Sequence, residues 1–185
     1  MRHDYSENSW YSLDDRPGNL VIKLGDMEAG PLTGSNPSHP IIWREIPDDA
    51  DFVLQTDMTL DSVQRGDFMS GLILELQEGA ASTRYVFGME DGNALRVKRS
   101  SGGTYTQLYN RSYSGGTAVI RIRREGRNLR FERRLEPGIW TTIYSRAIPV
   151  AATAGRAGLF AANDTARASR FRFDYAMVID PSVSS

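Results

Sequence analysis

Thr117 to Tyr144 reads TAVIRIRREGRNLRFERRLEPGIWTTIY, three consecutive antiparallel strands and two turns. Ala118, Ile120 and Ile122 alternate with Val119, Arg121 and Arg123. Beyond a turn at Glu125-Gly126-Arg127-Asn128, Leu129 and Phe131 alternate with Arg130, Glu132 and Arg134. A period of two is what a sheet with one buried face requires, because successive side chains point to opposite sides. A two-residue loop at Gly126-Arg127 places Arg123 opposite Arg130 and Arg121 opposite Glu132. One side of the ribbon then carries a charged ladder and the other an aliphatic core. The stretch predicts an all-β sandwich.

The same pattern extends along the chain. Strands are expected at Leu20 to Leu24, Ile41 to Glu45, Asp51 to Leu60, Met69 to Gln77, Thr83 to Glu90, Ala94 to Arg99 and Thr104 to Asn110. After the central ribbon come Ala157 to Asn163 and a long last strand from Arg170 to Ile179. Turn residues separate them, as at Arg16-Pro17-Gly18-Asn19, Asp91-Gly92-Asn93 and Ser101-Gly102-Gly103. Met27 to Pro40, rich in Gly, Pro and Asn, reads as an irregular loop. Only Ala147 to Ala157 and Thr165 to Ser169 have helical composition, and both are short. Many short strands at regular spacing point to two packed antiparallel sheets in a jelly roll. Residues 1–180 are read as a single domain, with a frayed tail over 181–185.

Composition narrows the partners. The 185 residues include 22 Lys and Arg against 23 Asp and Glu, a net charge of −1. No overall field therefore attracts nucleic acid or an anionic membrane. Without Cys there is neither a disulfide framework nor a thiolate metal site. The first residues lack the basic segment and apolar run of a signal peptide, and no stretch approaches the length of a membrane-spanning helix. The chain reads as a mature or excised domain.

Trp10-Tyr11-Ser12-Leu13-Asp14-Asp15-Arg16-Pro17-Gly18-Asn19-Leu20-Val21-Ile22 resembles the opening of the concanavalin A-like sandwich that follows the catalytic propeller in family 43 β-xylosidases. Further similarity lies in Arg65-Gly66-Asp67 with Ser70-Gly71-Leu72, the Arg-rich hairpin followed by Gly138-Ile139-Trp140, and Ala157-Gly158-Leu159-Phe160-Ala161 with Phe173-Asp174-Tyr175. These motifs are short and shared with laminin G-like domains. The resemblance implies a concanavalin A-like jelly roll, a non-catalytic carbohydrate-binding or accessory module of xylan-type hydrolysis, and a secreted or periplasmic setting. In such enzymes the propeller holds the acid and base.

Two alternatives follow from the same fold. A jelly-roll glycoside hydrolase or polysaccharide lyase needs a pair of catalytic groups, and for a retaining glycosidase these are carboxylates about 5 Å apart. Glu75, inside the apolar strand Leu72 to Gln77, is the best candidate, and Glu132 is expected to face it from the central hairpin. Ion pairing with Arg121 and Arg134 is the competing role for Glu132. The Glu-x-Asp-x-x-Glu spacing of concanavalin A-like glucanases and the Gly-x-Ser-x-Gly nucleophile elbow are both absent. With His3 and His39 alone, general bases are few and zinc is not suggested. A laminin G-like protein-interaction module would instead use Tyr109 and Tyr113 as hot spots on loops.

Sugar recognition needs aromatic faces and planar polar side chains. Tyr105, Tyr109 and Tyr113 cluster around the turn-rich stretch Gly102 to Gly116, and Trp43 follows the long loop. Arg121, Arg123 and Arg130 supply donors from the sheet. Core packing is the alternative for Trp43 and the expected place of Trp10 and Trp140. By the same resemblance, a structural calcium is expected between the terminal strands, held by Asp174 with Asp4 or Glu7. The alternative for Asp174 is to accept backbone or arginine hydrogen bonds.

Overall fold

Alternation along the strands closes two antiparallel sheets on each other in the computed structural model, which describes residues 2–4, 10–13, 16–24, 40–46, 51–63, 68–78, 81–149, 152–163 and 169–179. The first sheet runs in the order β1 (Arg2–Asp4), β4 (Ile41–Glu45), β13 (Ala152–Asn163), β6 (Phe68–Glu78), β7 (Ala81–Glu90), β8 (Ala94–Ser101) and β9 (Thr104–Ser112). The second runs β12 (Ile139–Ala147), β11 (Asn128–Glu136), β10 (Thr117–Glu125), β5 (Phe52–Val63), β14 (Ser169–Ile179), β3 (Leu20–Leu24) and β2 (Trp10–Ser12). Late strands are threaded between early ones. β13 lies between β4 and β6, and β14 between β3 and β5, as in a jelly-roll sandwich. The long loop from Met27 to His39, Arg65-Gly66-Asp67, Glu7 and the tail at 181–185 lie outside the described residues.

The central hairpin has the expected register. Arg123 pairs with Arg130 and Arg121 with Glu132, around a two-residue loop between Glu125 and Asn128. Gly126 adopts a φ of +55° there, a conformation that costs glycine little. Its amide donates to Asp51 Oδ1 at 2.6 Å, which ties the hairpin tip to the start of β5. The odd-numbered residues of β10 thus face outward while Ile120 and Ile122 are fully buried.

Inward faces meet in a continuous apolar layer. Leu72, Leu74 and Leu76 of β6 and Tyr85 and Phe87 of β7 join Leu54, Met58, Ile120, Ile122 and Phe131 of the second sheet, all essentially buried. Phe131 is the junction of this layer. Its ring centroid lies 6.0 Å from Tyr85, 5.8 Å from Phe87 edge-on and 5.8 Å from Tyr144. Such aromatic pairs add about 0.5–1.5 kcal/mol each beyond area burial.

Two expectations are corrected. Ala152 to Ala157, whose composition suggested a helix, forms the start of β13 and pairs with β6, with a register shift between Ala154 and Arg156. Helix propensity differs among ordinary residues by less than about 1 kcal/mol, and the open edge of an eleven-residue strand outweighs it. The side chain of Trp10 lies outside the described residues, and Trp140 does not enter the core. It pairs with Arg134 on the outer face of the second sheet and is partly exposed.

Replacing Phe131 by Ala removes contacts to both sheets and leaves a cavity between them. A loss of about 3–5 kcal/mol is expected in chemical denaturation, with the slope of the transition unchanged. A change below about 1 kcal/mol would show that the inter-sheet contact is not centred on this ring.

Candidate functional site

The outer face of the first sheet carries one cross-strand row built from six strands. Register places Glu45 of β4 opposite Arg156 of β13, Arg156 opposite Glu75 of β6, Glu75 opposite Arg84 of β7, Arg84 opposite Ser100 of β8, and Ser100 opposite Tyr105 of β9. Residues directly opposite in antiparallel strands share a face, so the six side chains form a line perpendicular to the strands.

Glu75 is the centre of the line. It accepts from Arg84 Nε at 2.6 Å, from Arg156 Nε at 2.8 Å and from Arg156 Nη2 at 3.3 Å. Its side chain is 8% exposed, against 16% and 18% for the two arginines. Burial by itself raises the carboxyl pKa, but the hydrogen bonds and charges of Arg156 and Arg84 outweigh it and hold the group below its ordinary 4.5. Charge-assisted bonds on both sides also fix the planes of the guanidiniums.

Beside this row lies an apolar floor. Ile41, Trp43, Met69, Ile73, Val86, Phe160 and Ala162 form a second buried cluster, with Tyr105 packed against it. Trp43 is 1% exposed, and Arg156 and Arg84 sit 4.3 Å and 5.9 Å from its ring centroid, within cation–π range. Two glycines flatten the middle of the floor: Gly71 faces Gly88 across β6 and β7, and a Cβ on Gly88 would lie 1.9 Å from the carbonyl oxygen of Ser70. At the far side Glu90 binds Lys98 Nζ at 2.8 Å and Arg96 at 2.6 Å. Burial pushes the Tyr105 hydroxyl up to about 12, against the pull of Arg84.

The other candidates lie elsewhere. Glu132 does not face Glu75: it is on the outer face of the opposite sheet, where Arg121 Nε reaches it at 2.6 Å and Thr142 Oγ1 donates to it at 3.1 Å. Glu90 is the second carboxylate on the first sheet's outer face for which ion pairs are resolved, six residues along β7 from Arg84, or about 20 Å from the Glu75 row at ~3.3 Å per residue. Neither arrangement has the roughly 5–9.5 Å spacing of glycosidase carboxylates, and Glu45, two strands from Glu75 in the same row, stands about 10 Å away at ~4.8 Å per strand with Arg156 between them. Arg121, Arg123 and Arg130 share the second sheet's outer face. Arg121 stacks 3.9 Å from the Trp140 centroid, and Glu125 takes both Arg123 and, at 3.3 Å, Arg130.

The three tyrosines also separate. Tyr109 points inward and packs 6.5 Å from Tyr144. Tyr113 lies under Arg133, 5.1 Å from ring centroid to guanidinium, and its hydroxyl donates to the Thr117 carbonyl. Only Tyr105 joins Trp43 and Glu75. Asp174 sits at a register shift in β14, 47% exposed and 3.7 Å from Arg172 Nε, whereas β1, which contains Asp4, belongs to the other sheet. Among the described residues no group of three or more His, Asp or Glu side chains could hold a metal ion, and Glu7 and the side chain of Asp4 lie outside them. A separate cavity of about 400 Å³ opens between the sheets near β3 and β4, lined chiefly by Ile42, Leu54, Leu159 and Phe173.

Arg84 and Arg156 were missed in the sequence. Arg84 was legible in principle, as the polar neighbour of Tyr85 in an alternating strand. Arg156 was hidden in a stretch of helical composition, 81 residues from the carboxylate that it meets.

The fold is shared with sandwiches in several solved structures. A xylan β-1,4-xylosidase from Bacillus halodurans matches at 16% identity and a TM-score of 0.65, over 91% of this chain and 34% of that one. A functionally unknown protein from Saccharomyces cerevisiae matches at 12% identity and 0.62, over 95% and 93%. The alginate lyase from Klebsiella pneumoniae matches at 10% and 0.57, over 96% and 86%. This chain spans about a third of the xylosidase, so the likeness to family 43 chains is to one sandwich module and bears out the fold inferred from the sequence motifs. No protein-family model and no curated protein matches the sequence.

Glu75→Gln leaves two partly buried guanidiniums without their carboxylate. A loss of about 2–3 kcal/mol is expected at neutral pH, less than the ~3–5 of a fully buried pair because both arginines keep some water. The depressed pKa of Glu75 stabilises the fold above pH 4.5, and that contribution disappears as pH falls through the lower folded value. The difference between wild type and Glu75→Gln, measured by denaturation from pH 7 to pH 3, should therefore shrink toward the acid end. A constant difference would remove the ionised carboxylate from the account.

Proposed function

We propose that the protein is a non-catalytic carbohydrate-binding module acting with a glycoside hydrolase on plant polysaccharide of the xylan type, and that glycan lies along the outer face of the first sheet. The observation that carries this reading is the Arg156–Glu75–Arg84–Tyr105 row. It presents planar donors and a phenol in fixed positions, groups suited to pyranose hydroxyls, while the buried apolar cluster beside it backs the row rather than meeting the ligand. The donors are held by their own ion pairs, so little side-chain entropy is lost when a ligand arrives. Trp43 acts from below, as the plate on which the arginines rest, rather than as an open stacking surface.

The hydrolase or lyase alternative draws on the likeness to the alginate lyase. An acid or base works best with a pKa near the working pH. Glu75 is held below its ordinary range and Tyr105 is near 12, so each is poised away from neutrality. Binding therefore has the stronger support. The laminin G-like alternative loses the support it drew from Tyr109 and Tyr113, both of which pack against the protein itself.

Affinity electrophoresis through gels containing arabinoxylan, arabinan or mixed-linkage β-glucan, with product analysis of the same samples, tests the reading. Retention without products is expected. Tyr105→Phe removes one hydroxyl and should weaken retention about fivefold; Arg84→Lys keeps the charge, loses the planar fork and should weaken it about tenfold. Equal retention of wild type and both variants would sink the assignment of the face, and released oligosaccharide would sink the non-catalytic reading.

A further inference from the structure

Trp140 is expected in the core from the sequence but lies on the outer face of the second sheet, partly exposed. It belongs to β12, the edge strand, yet its ring centroid lies 3.9 Å from the guanidinium carbon of Arg121 on β10, two strands inward. Glu132 of β11 stands between those strands and is 5% exposed, although it too is on an outer face. Neighbouring strands are about 4.8 Å apart, so an indole that reaches from β12 to a β10 side chain lies along the sheet rather than upright from it. One face of the ring is closed. Arg121 Nε binds Glu132 Oε2 at 2.6 Å and Thr142 Oγ1 donates to Glu132 Oε1 at 3.1 Å, so both carboxylate oxygens are engaged and the guanidinium against the ring is held in place. Among the described residues no further ring or cation meets the indole, and nothing accepts from its Nε1. The result is an aromatic plate on an edge strand, with an unused N–H donor and the exposed Thr142 beside it.

We propose that Trp140 forms a second glycan-binding site, on the face opposite the Glu75 row, and that it takes a neutral pyranose unit by stacking the sugar's C–H face on the outward side of the indole. Stacking needs a rigid aromatic surface, and the cation–π contact with Arg121 supplies that rigidity before any ligand arrives. The Nε1–H is a donor for a sugar hydroxyl. Trp43 on the first face is 1% exposed and offers no such plate, so the two faces recognise sugar by different means. A protein partner is less well served. Aromatic anchors carry most of an interface's energy when they enter a dry pocket, whereas this ring lies flat over its own ion pair. Two opposed sites also engage two chains of an insoluble polysaccharide at once, which strengthens retention by avidity. The ligand class rests on the carbohydrate reading above, but the face and its residues are different.

The test follows the indole N–H signals of the whole nitrogen-15-labelled chain by NMR during titration with xylohexaose, cellohexaose and arabinohexaose, each to about 10 mM. The chain has 3 Trp, so single Phe variants assign every signal. A saturable shift of the Trp140 signal with xylohexaose or cellohexaose is expected. On arabinoxylan gels Trp140→Ala should weaken retention about tenfold, and Trp140→Phe, which keeps an aromatic face but loses the donor, about threefold. Movement of the Trp43 signal alone places glycan on the first face only and overturns the proposal. Movement of Trp140 alone supports it and removes the first-face assignment instead. The proposal is also overturned if Trp140 responds to none of the three oligosaccharides, or only to the furanose chain of arabinohexaose. Self-association of the wild type in sedimentation, abolished by Trp140→Ala while gel retention is unchanged, would make the plate a protein contact and overturn it as well. Should Trp140→Ala unfold, the titration of the wild type decides the matter by itself.

Discussion

The contact of Phe131 with Tyr85 and Phe87 sets the pleat on which the rest of the structure depends. A strand has only two faces, so once Phe131 points inward, Arg130 and Glu132 point outward, and the same holds on β10 for Ile120, Ile122 and Arg121. A slip of one residue would turn the charged ladder into the core. Burying one unpaired charge costs several kcal/mol, so the register is strongly specified. The polar rows on both outer faces are consequences of apolar packing between the sheets.

Polar rows then differ by how completely they are closed. At Glu75 each carboxylate oxygen has an arginine partner and the surroundings are nearly dry, so the ion pairs are short and the geometry is fixed. With its pKa held below the ordinary range by the two guanidiniums, the carboxyl is poised away from proton transfer at neutral pH. What remains is rigidity. Arg84 and Arg156 are held over Trp43 by an interaction that needs no ligand, which makes the row a preformed surface.

Much of the fold was legible in local alternation. Leu20–Leu24 and Ile41–Glu45 have the limits that alternation and turn residues imply, and the loop at Gly126 and Arg127 has the expected pairing. Pro17 and Gly18 make the expected turn, with Asn19 N bonded to Arg16 O at 3.0 Å. The site was less legible because its members meet through long-range pairing. Arg84 and Glu75 belong to one hairpin, but Arg156 comes from β13, separated from that hairpin by five strands along the chain and inserted between β4 and β6. Nothing near Arg156 in sequence announces that neighbour. The tyrosines show the reverse error: Tyr105, Tyr109 and Tyr113 are close in sequence, yet a register shift between Val97 and Lys98 sends Tyr105 and Tyr109 to opposite faces of β9.

Charge follows the same logic. A net value of −1 describes the sum over the chain, whereas a partner meets one face at a time, and screening over roughly 8–10 Å makes distant charges irrelevant to it. The two outer faces are separated by the whole thickness of the sandwich, so charges on one are largely screened from a partner at the other. A balanced composition therefore excludes a strong field around the molecule as a whole, but not a local one. The difference lies in how β14 and β3 are threaded side by side: two strands far apart in sequence, each with its own basic residue, bring Arg170 and Lys23 together on one surface.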